Sequence, residues 1–407
     1  MALGVHQTGR APGPLDGIRV VNLATMLGAG HATALLADFG ADVITVELPG
    51  RGDALRQMGP FRDGDSLRWA VVARGKRSLT LDLRHPMGQA VALDLARNAD
   101  VVVENFRPGT LDKWALGYEA LRGANPGVIL LSLTGYGQTG PRRQRPGFGR
   151  VIEAVSGMMH STGDADGPPL QMGVPLVDYI AGTFGAMAVA MALVERDRNL
   201  RREGQWIDLS LYETMIRLLD SAISAYDATG VPPGRRGNRY GNIAPSDVYR
   251  TRDGRYVFHS SATQTVYERL MRAIGRADCL TDPRYATNAE RVRRVDEIND
   301  IVQAWFAEHD LAEVVAVMDR ADVPIGPVAT MADVTADPQL AARDGLVTRE
   351  TATGPLRMPG LVPKFSRTPG EVGEGGPPLG RHSDQILHEV LGYDEARIAE
   401  LRAKGVT

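Results

Sequence analysis

Cysteine is almost absent: Cys279 is the only one in 407 residues. An intrachain disulfide and a zinc site built on paired cysteines are both excluded. Nothing calls for an oxidising compartment, so the expectation is a cytoplasmic protein. A surplus of one charge is lacking as well, since 46 basic and 49 acidic residues leave a net charge of −3. Such a balance suits no partner that must have many phosphates neutralised, and no nucleic acid is expected. Long hydrophobic runs are scarce. The strongest, Tyr179–Val194, reads YIAGTFGAMAVAMALV between Asp178 and Glu195. It is shorter than the roughly 20 apolar residues that span a bilayer, so it reads as a buried helix and no membrane partner is expected. Residues 1–14 carry one arginine and no apolar core of signal-peptide type, and read as a loose tail.

Several catalytic signatures are missing too. There is no phosphate-binding Gly-x-x-x-x-Gly-Lys-Ser/Thr loop, no His-Glu-x-x-His pair and no Gly-x-Ser-x-Gly elbow. The eight histidines are scattered without metal-ligand spacing, and no metal is expected.

What is present is an ordinary globular composition, 43% hydrophobic and 23% charged, on a chain long enough for two domains. From Leu15 to about Ser132, short aliphatic runs (Ile18–Leu23, Val43–Val46, Leu79–Leu81, Val101–Val103, Val128–Leu131) alternate with helical spacing at Gly88–Arg97 and Leu111–Leu121. That alternation is the mark of βαβ units feeding a parallel sheet. Beyond a Gly/Pro-rich connection holding Arg142, Arg143 and Arg145, the spacing predicts a small-residue helix from near Asp178, a strand at Trp206–Leu209 and a long helix at Tyr212–Thr229. Gly230–Asn242 has linker composition and marks a domain boundary. After it come a strand, Arg255–Ser260, helices at Val266–Ile274, Asp296–Ala307 and Leu311–Arg320, and a last amphipathic helix at Ser383–Leu391.

Two features could carry chemistry. Gly28-Ala29-Gly30-His31-Ala32-Thr33 follows a strand and opens a helix, with Glu47 ending the next strand. This approaches a dinucleotide fingerprint, although Thr33 replaces the third glycine. It motivates one reading as a Rossmann-type NAD oxidoreductase; the plainer reading is a first βα turn. Asp178 follows Gly173-Val174-Pro175 and heads the apolar helix. A carboxylate there serves either as a cap for backbone amides or as a nucleophile towards an activated acyl carbon.

A set of motifs then runs through the chain in order: Pro14-Leu15-Asp16-Gly17; Gly40-Ala41-Asp42-Val43-Ile44; Lys76-Arg77-Ser78-Leu79; Leu81-Asp82-Leu83; Val103-Glu104-Asn105-Phe106-Arg107-Pro108-Gly109; Leu133 to Pro141; and Val323-Pro324-Ile325-Gly326-Pro327-Val328. In them the chain resembles the class III CoA-transferases, the family of formyl-CoA and carnitine CoA-transferases and the bile-acid-inducible enzymes, with the α-methylacyl-CoA racemases as relatives. The resemblance implies a Rossmann-like large domain (residues 1–229 with the return of 326–407) and a smaller α+β domain (230–325) in an interlocked homodimer. It implies Asp178 as the nucleophile, passing through an aspartyl anhydride and an aspartyl-CoA thioester. CoA and acyl-CoA are then substrates, a free carboxylic acid is the acceptor, and no tightly bound cofactor is needed. CoA contacts are implied at Leu27, Gly28, Leu81, Arg84, Asn105, Phe106, Arg107, Lys113 and Arg145, with the cations meeting phosphate. Arg142, Arg143 and Arg145 leave room for a dicarboxylic acid such as succinate.

The chain departs from its family in two places. Leu48 follows Glu47 where formyl-CoA transferase has a CoA-contacting arginine, which leaves Arg51 as a substitute. Phe148-Gly149 stands where the racemases have a His-Asp pair, so proton transfer beside a carbonyl lacks its acid and base. The family's glycine-rich active-site loop has one counterpart here, Gly234–Gly241.

Overall fold

The computed structural model describes residues 13–407; residues 1–12 of the expected tail lie outside them. The chain divides into two compact units. The first holds the residues up to Met158, Met172–Ser221 and Pro338–Thr407, and the second holds Met159–Gln171 and Ala222–Asp337. The divisions at 230 and 325 expected above therefore fall inside the second unit, which also takes up the short segment 159–171.

In the first unit the runs RVVN, DVITVE, VVVE and ILLSLT are rich in Val, Ile and Leu and almost wholly buried. Such strands suit a parallel sheet covered on both faces. The sheet has six strands in the order Arg77–Thr80, Asp42–Glu47, Arg19–Asn22, Val101–Glu104, Ile129–Thr134, Trp206–Ser210, and every pairing is parallel. Counted along the chain this is third, second, first, fourth, fifth, sixth, the doubly wound order. Neighbouring residues of one strand serve opposite faces: Val21 packs with Ile44, Leu95, Ile386 and Leu401, while Val20 packs with Val43, Ile129 and Val189. The C-terminal segment thus completes the core begun by the first strands, and Asp82 N–H donates to the Val406 carbonyl at 2.8 Å.

The small-residue segment forms one helix, Leu176–Arg198, and buries Ala181, Gly182, Gly185 and Val189. Its length and composition alone would let it cross a membrane, but these buried positions face the first helix and the sheet. Two expected helices are broken. Leu111–Leu121 splits into Thr110–Lys113 and Tyr118–Ala124, with Ala115 left-handed at φ 54°. Tyr212–Thr229 splits into Leu211–Arg217, in the first unit, and Ala222–Thr229, in the second. Asp220, at φ 49°, turns the chain between them. Helical spacing shows which residues can share a face but carries no signal for a single left-handed residue. The last amphipathic stretch is a short helix, Ser383–Gln385, running into a π turn, and a further helix, Glu395–Ala403, follows.

The second unit is an antiparallel sheet of Ser246–Arg250, Tyr256–Ser260 and Ile325–Pro327. The helices Gln264–Ala273, Val295–Ala307 and Leu311–Arg320 close its core around Tyr249, Tyr267, Leu270, Phe306 and Met318. Gly234–Gly241 belongs to this unit, where its residues line a cavity of about 490 Å³ and Arg239 pairs with Asp247 and Asp296.

Candidate active site

In a doubly wound sheet, ligands settle beyond the carboxyl ends of the strands where the order reverses. Here the reversal lies between Arg19–Asn22 and Val101–Glu104. The loops leaving these strands are bound together: Asn105 accepts from Thr25 N–H at 3.1 Å and donates to the Thr25 carbonyl at 2.6 Å. Glu104 holds the second loop by accepting from Phe106 N–H at 2.8 Å. Met26, left-handed at φ 70°, turns the first loop into the helix Leu27–Asp38, and its N–H donates to the Asp53 carboxylate. A non-glycine residue held at positive φ is strained backbone that the surroundings must enforce, here by that carboxylate. A cavity of about 570 Å³ opens above these loops.

Asp178 reaches this cavity from the first turn of Leu176–Arg198. Glycine brings its helix in: a Cβ at Gly182 would stand 2.5 Å from the Gly28 carbonyl oxygen, so only glycine permits the close crossing of the two helices. Gly28 in turn lies next to the carboxylate, its would-be Cβ 3.6 Å from Asp178 Oδ1. The residue before the helix is Pro175, whose ring has no polar atom to cap it. The Asp178 carboxylate itself has no hydrogen-bond partner among the described residues. Burial pushes its carboxyl up to about 6, against the pull of the Arg150 and Arg68 charges. Arg150 is already engaged, donating to Glu153 at 3.0 Å and to the Met172 carbonyl at 2.6 Å. A half-buried, unpaired carboxylate beside a glycine-lined opening has the chemistry of a nucleophile.

Of the residues picked out in the sequence, Leu27, Gly28, Asn105, Phe106, Arg107, Arg143, Arg145 and Asp178 line this one cavity. Leu81 does not: it is 1% exposed within the hydrophobic core and has no surface to offer a ligand. Arg84 lies outside the cavity lining, where its guanidinium grips Asp82 through two bonds of 2.8 Å. Lys113, exposed at the end of a short helix, and Arg142 are also outside the lining. Arg68 and Arg150, which sequence reasoning passed over, are inside it. Arg150 adjoins the Phe148-Gly149 departure and could have been noticed there; Arg68 sits in no motif.

Glu47 corrects the dinucleotide reading. In that reading it would hold ribose hydroxyls, yet it accepts from Asp53 N–H at 2.9 Å, Arg56 Nε at 2.7 Å and Ser78 Oγ at 2.6 Å. It is 2% exposed and spent on the fold. Arg51 is exposed and outside the cavity lining.

Fold and site together define a doubly wound α/β protein with an unpaired carboxylate in an arginine-lined cavity. The sequence profile described as CoA-transferase family III matches residues 15–383, and the chain belongs to that family; it is a CoA-transferase. It is 41% identical over 399 residues to the succinyl-CoA–D-citramalate CoA-transferase of Chloroflexus aurantiacus, covering 98% of this chain and 99% of that one. It is 37% identical over 386 residues to a succinate–glutarate CoA-transferase of Agrobacterium fabrum, covering 93% and 96%. Among solved structures, a CAIB/BAIF family protein from Brucella suis superposes with a TM-score of 0.84 at 34% identity, covering 93% of this chain and 100% of that one.

Proposed function

We propose that the protein moves CoA from an acyl-CoA, succinyl-CoA foremost, to a dicarboxylic acid, with Asp178 as the nucleophile. The observation that carries this reading is the unpaired, half-buried Asp178 carboxylate in a cavity that also presents Arg68, Arg107, Arg143 and Arg145. The named relatives, one a succinyl-CoA–D-citramalate and the other a succinate–glutarate CoA-transferase, support the substrate class.

In the first half-reaction an Asp178 oxygen attacks the thioester carbonyl of the donor, the C–S bond breaks, and CoA leaves as thiolate. The thiolate then attacks the Asp178 carbonyl of the mixed anhydride, releasing the donor acid and leaving an aspartyl-CoA thioester. The acceptor carboxylate attacks that thioester, CoA thiolate departs again, and its return to the acceptor's carbonyl frees Asp178 and forms the new acyl-CoA. A thioester is exchanged for a thioester, so the cycle balances without ATP. The exposed guanidiniums of Arg107, Arg143 and Arg145 suit the phosphates of CoA. Racemisation finds no titratable side chain at Phe148-Gly149 to move the proton.

The working unit in this reading is an interlocked homodimer in the cytoplasm. Supporting it, Met187, Met191 and Val194 recur at helical spacing on Leu176–Arg198 and are 45%, 61% and 51% exposed, an apolar stripe suited to burial against a second copy. The one cysteine, Cys279, is a buried free thiol, as a reducing compartment allows. Incubation with a panel of acyl-CoAs, followed by hydroxylamine and peptide mapping, tests the central step: a hydroxamate on Asp178 is expected. Its absence with every acyl-CoA, while CoA still binds, would leave a non-catalytic CoA-binding protein.

A further inference from the structure

The cations of the Asp178 cavity differ in what they already hold. Arg150 is tied to Glu153 and to the Met172 carbonyl. Arg107, Arg143 and Arg145 are exposed. Arg68 is the half-buried one, and among the described residues it has neither an ion pair nor a hydrogen bond from its side chain. A half-buried arginine with no hydrogen-bonded anion has given up hydration that a carboxylate ligand would replace.

The backbone that carries Arg68 is fixed on both sides. Ser66 caps the helix Leu67–Val72, accepting from Trp69 N–H at 3.2 Å and donating to the Met58 carbonyl at 2.5 Å. Trp69, 7% exposed, donates its ring N–H to the Pro377 carbonyl at 3.0 Å and carries the Arg56 guanidinium 3.9 Å over its ring. The anchor of the Arg68 side chain therefore does not wander, as a specificity element requires. Its charge is also one of the two that reach the Asp178 carboxyl.

We propose that Arg68 selects dicarboxylic acids, its guanidinium taking the far carboxylate of the acid whose near carboxylate meets Asp178. The assignment rests on the CoA-transfer reading above. The far carboxylate of a succinyl donor and that of the acceptor acid occupy this place in turn, because each acyl group bonds to Asp178 in its half of the cycle. A monocarboxylic acid would leave Arg68 half-buried and unpaired, and that penalty is the source of the selection. The three exposed arginines remain for the phosphates of CoA.

The test compares glutarate with pentanoate, acids of equal chain length in which a methyl replaces one carboxylate, using succinyl-CoA as donor. In this two-stage cycle, kcat/KM for the acceptor reports the acceptor's own half-reaction. Wild type is expected to prefer glutarate. In Arg68→Gln the ratio of the two kcat/KM values should fall by about 10- to 100-fold, with Arg68→Lys retaining part of the preference and the Kd for free CoA, read by calorimetry, unchanged in both. An unchanged ratio, equal use of the two acids by wild type, or a joint fall of both acids together with weaker CoA binding would each overturn the assignment, the last by giving Arg68 to a phosphate. Failure of the parent reading has its own signature, the absence of hydroxamate on wild-type Asp178 with any acyl-CoA, and it removes this assignment too.

Discussion

Gly149 leaves the space that the Asp178 carboxylate occupies: a Cβ built at Gly149 would lie 2.4 Å from Asp178 Oδ2 and 3.0 Å from its Cγ. No side chain can share that volume with Asp178 as it stands. Gly149 opens the helix Gly149–Val155 and has no positive φ, so alanine there meets no backbone strain, only the carboxylate. Gly149→Ala is therefore expected to fold normally and to swing the Asp178 carboxylate out of the place it now holds, which the proposed mechanism needs. The measurement is turnover with succinyl-CoA and glutarate, expected to fall by roughly 100-fold, the cost of displacing a reacting group by about an ångström. Circular dichroism and Tm should stay close to wild type.

Asp178→Asn should abolish turnover while leaving CoA affinity nearly unchanged, because the amide keeps the size of the carboxyl and lacks its nucleophilicity. It should also melt higher than wild type at pH 8. The folded carboxyl titrates near 6, above the ordinary 3.8, so the wild-type fold loses stability as pH rises through that interval and the Asn variant does not. The gain in Tm should shrink as the pH is lowered from about 6 towards 4 and vanish below it. A variant that retains wild-type turnover would reduce Asp178 to a structural residue.

Activity should follow the same group. In the proposed mechanism the nucleophile is the ionised carboxylate, so kcat/KM for the acyl-CoA donor is expected to be flat above neutrality and to drop about tenfold per pH unit below an apparent pKa near 6. Removing the Arg68 charge, which pulls that pKa down, should move the break to higher pH. A profile that stays flat to pH 5 would contradict the burial of Asp178.

Glu104 offers a pH effect on stability without a role in the transfer itself. Burial pushes its carboxyl up to about 7, with the Asp208 and Asp112 charges adding to the push and the bonds from Ser132 and Phe106 N–H opposing it. Glutamine keeps the acceptor for Phe106 and has no charge to bury. Glu104→Gln should stabilise the protein above pH 7 by no more than about 3 kcal/mol, the advantage fading as pH falls from 7 to 4.5. Urea unfolding at pH 8 and pH 5 reads the difference.

The sequence by itself determined the α/β alternation, because short β-branched runs such as DVITVE and VVVE, alternating with helical spacing, read as strands buried on both faces. It also determined the candidate nucleophile: Asp178 stands out as a carboxylate heading an apolar helix, and ordered motifs identify the family around it. Only the tertiary structure decided which cations face that carboxylate. Arg68 reaches the cavity because Ser66 and Trp69 fix its helix through Met58 and Pro377, the latter contact spanning more than 300 positions of chain. No local pattern encodes that. The same holds in reverse for Leu81, Arg84 and Glu47, whose neighbours in sequence look functional while the packed core, Asp82 and the Arg56–Ser78 network claim their side chains. Strand and helix periodicity follow from each residue's own geometry and are legible in one dimension. Which charge is left without a partner depends on what the rest of the chain brings to it, and that is settled only when the chain has closed.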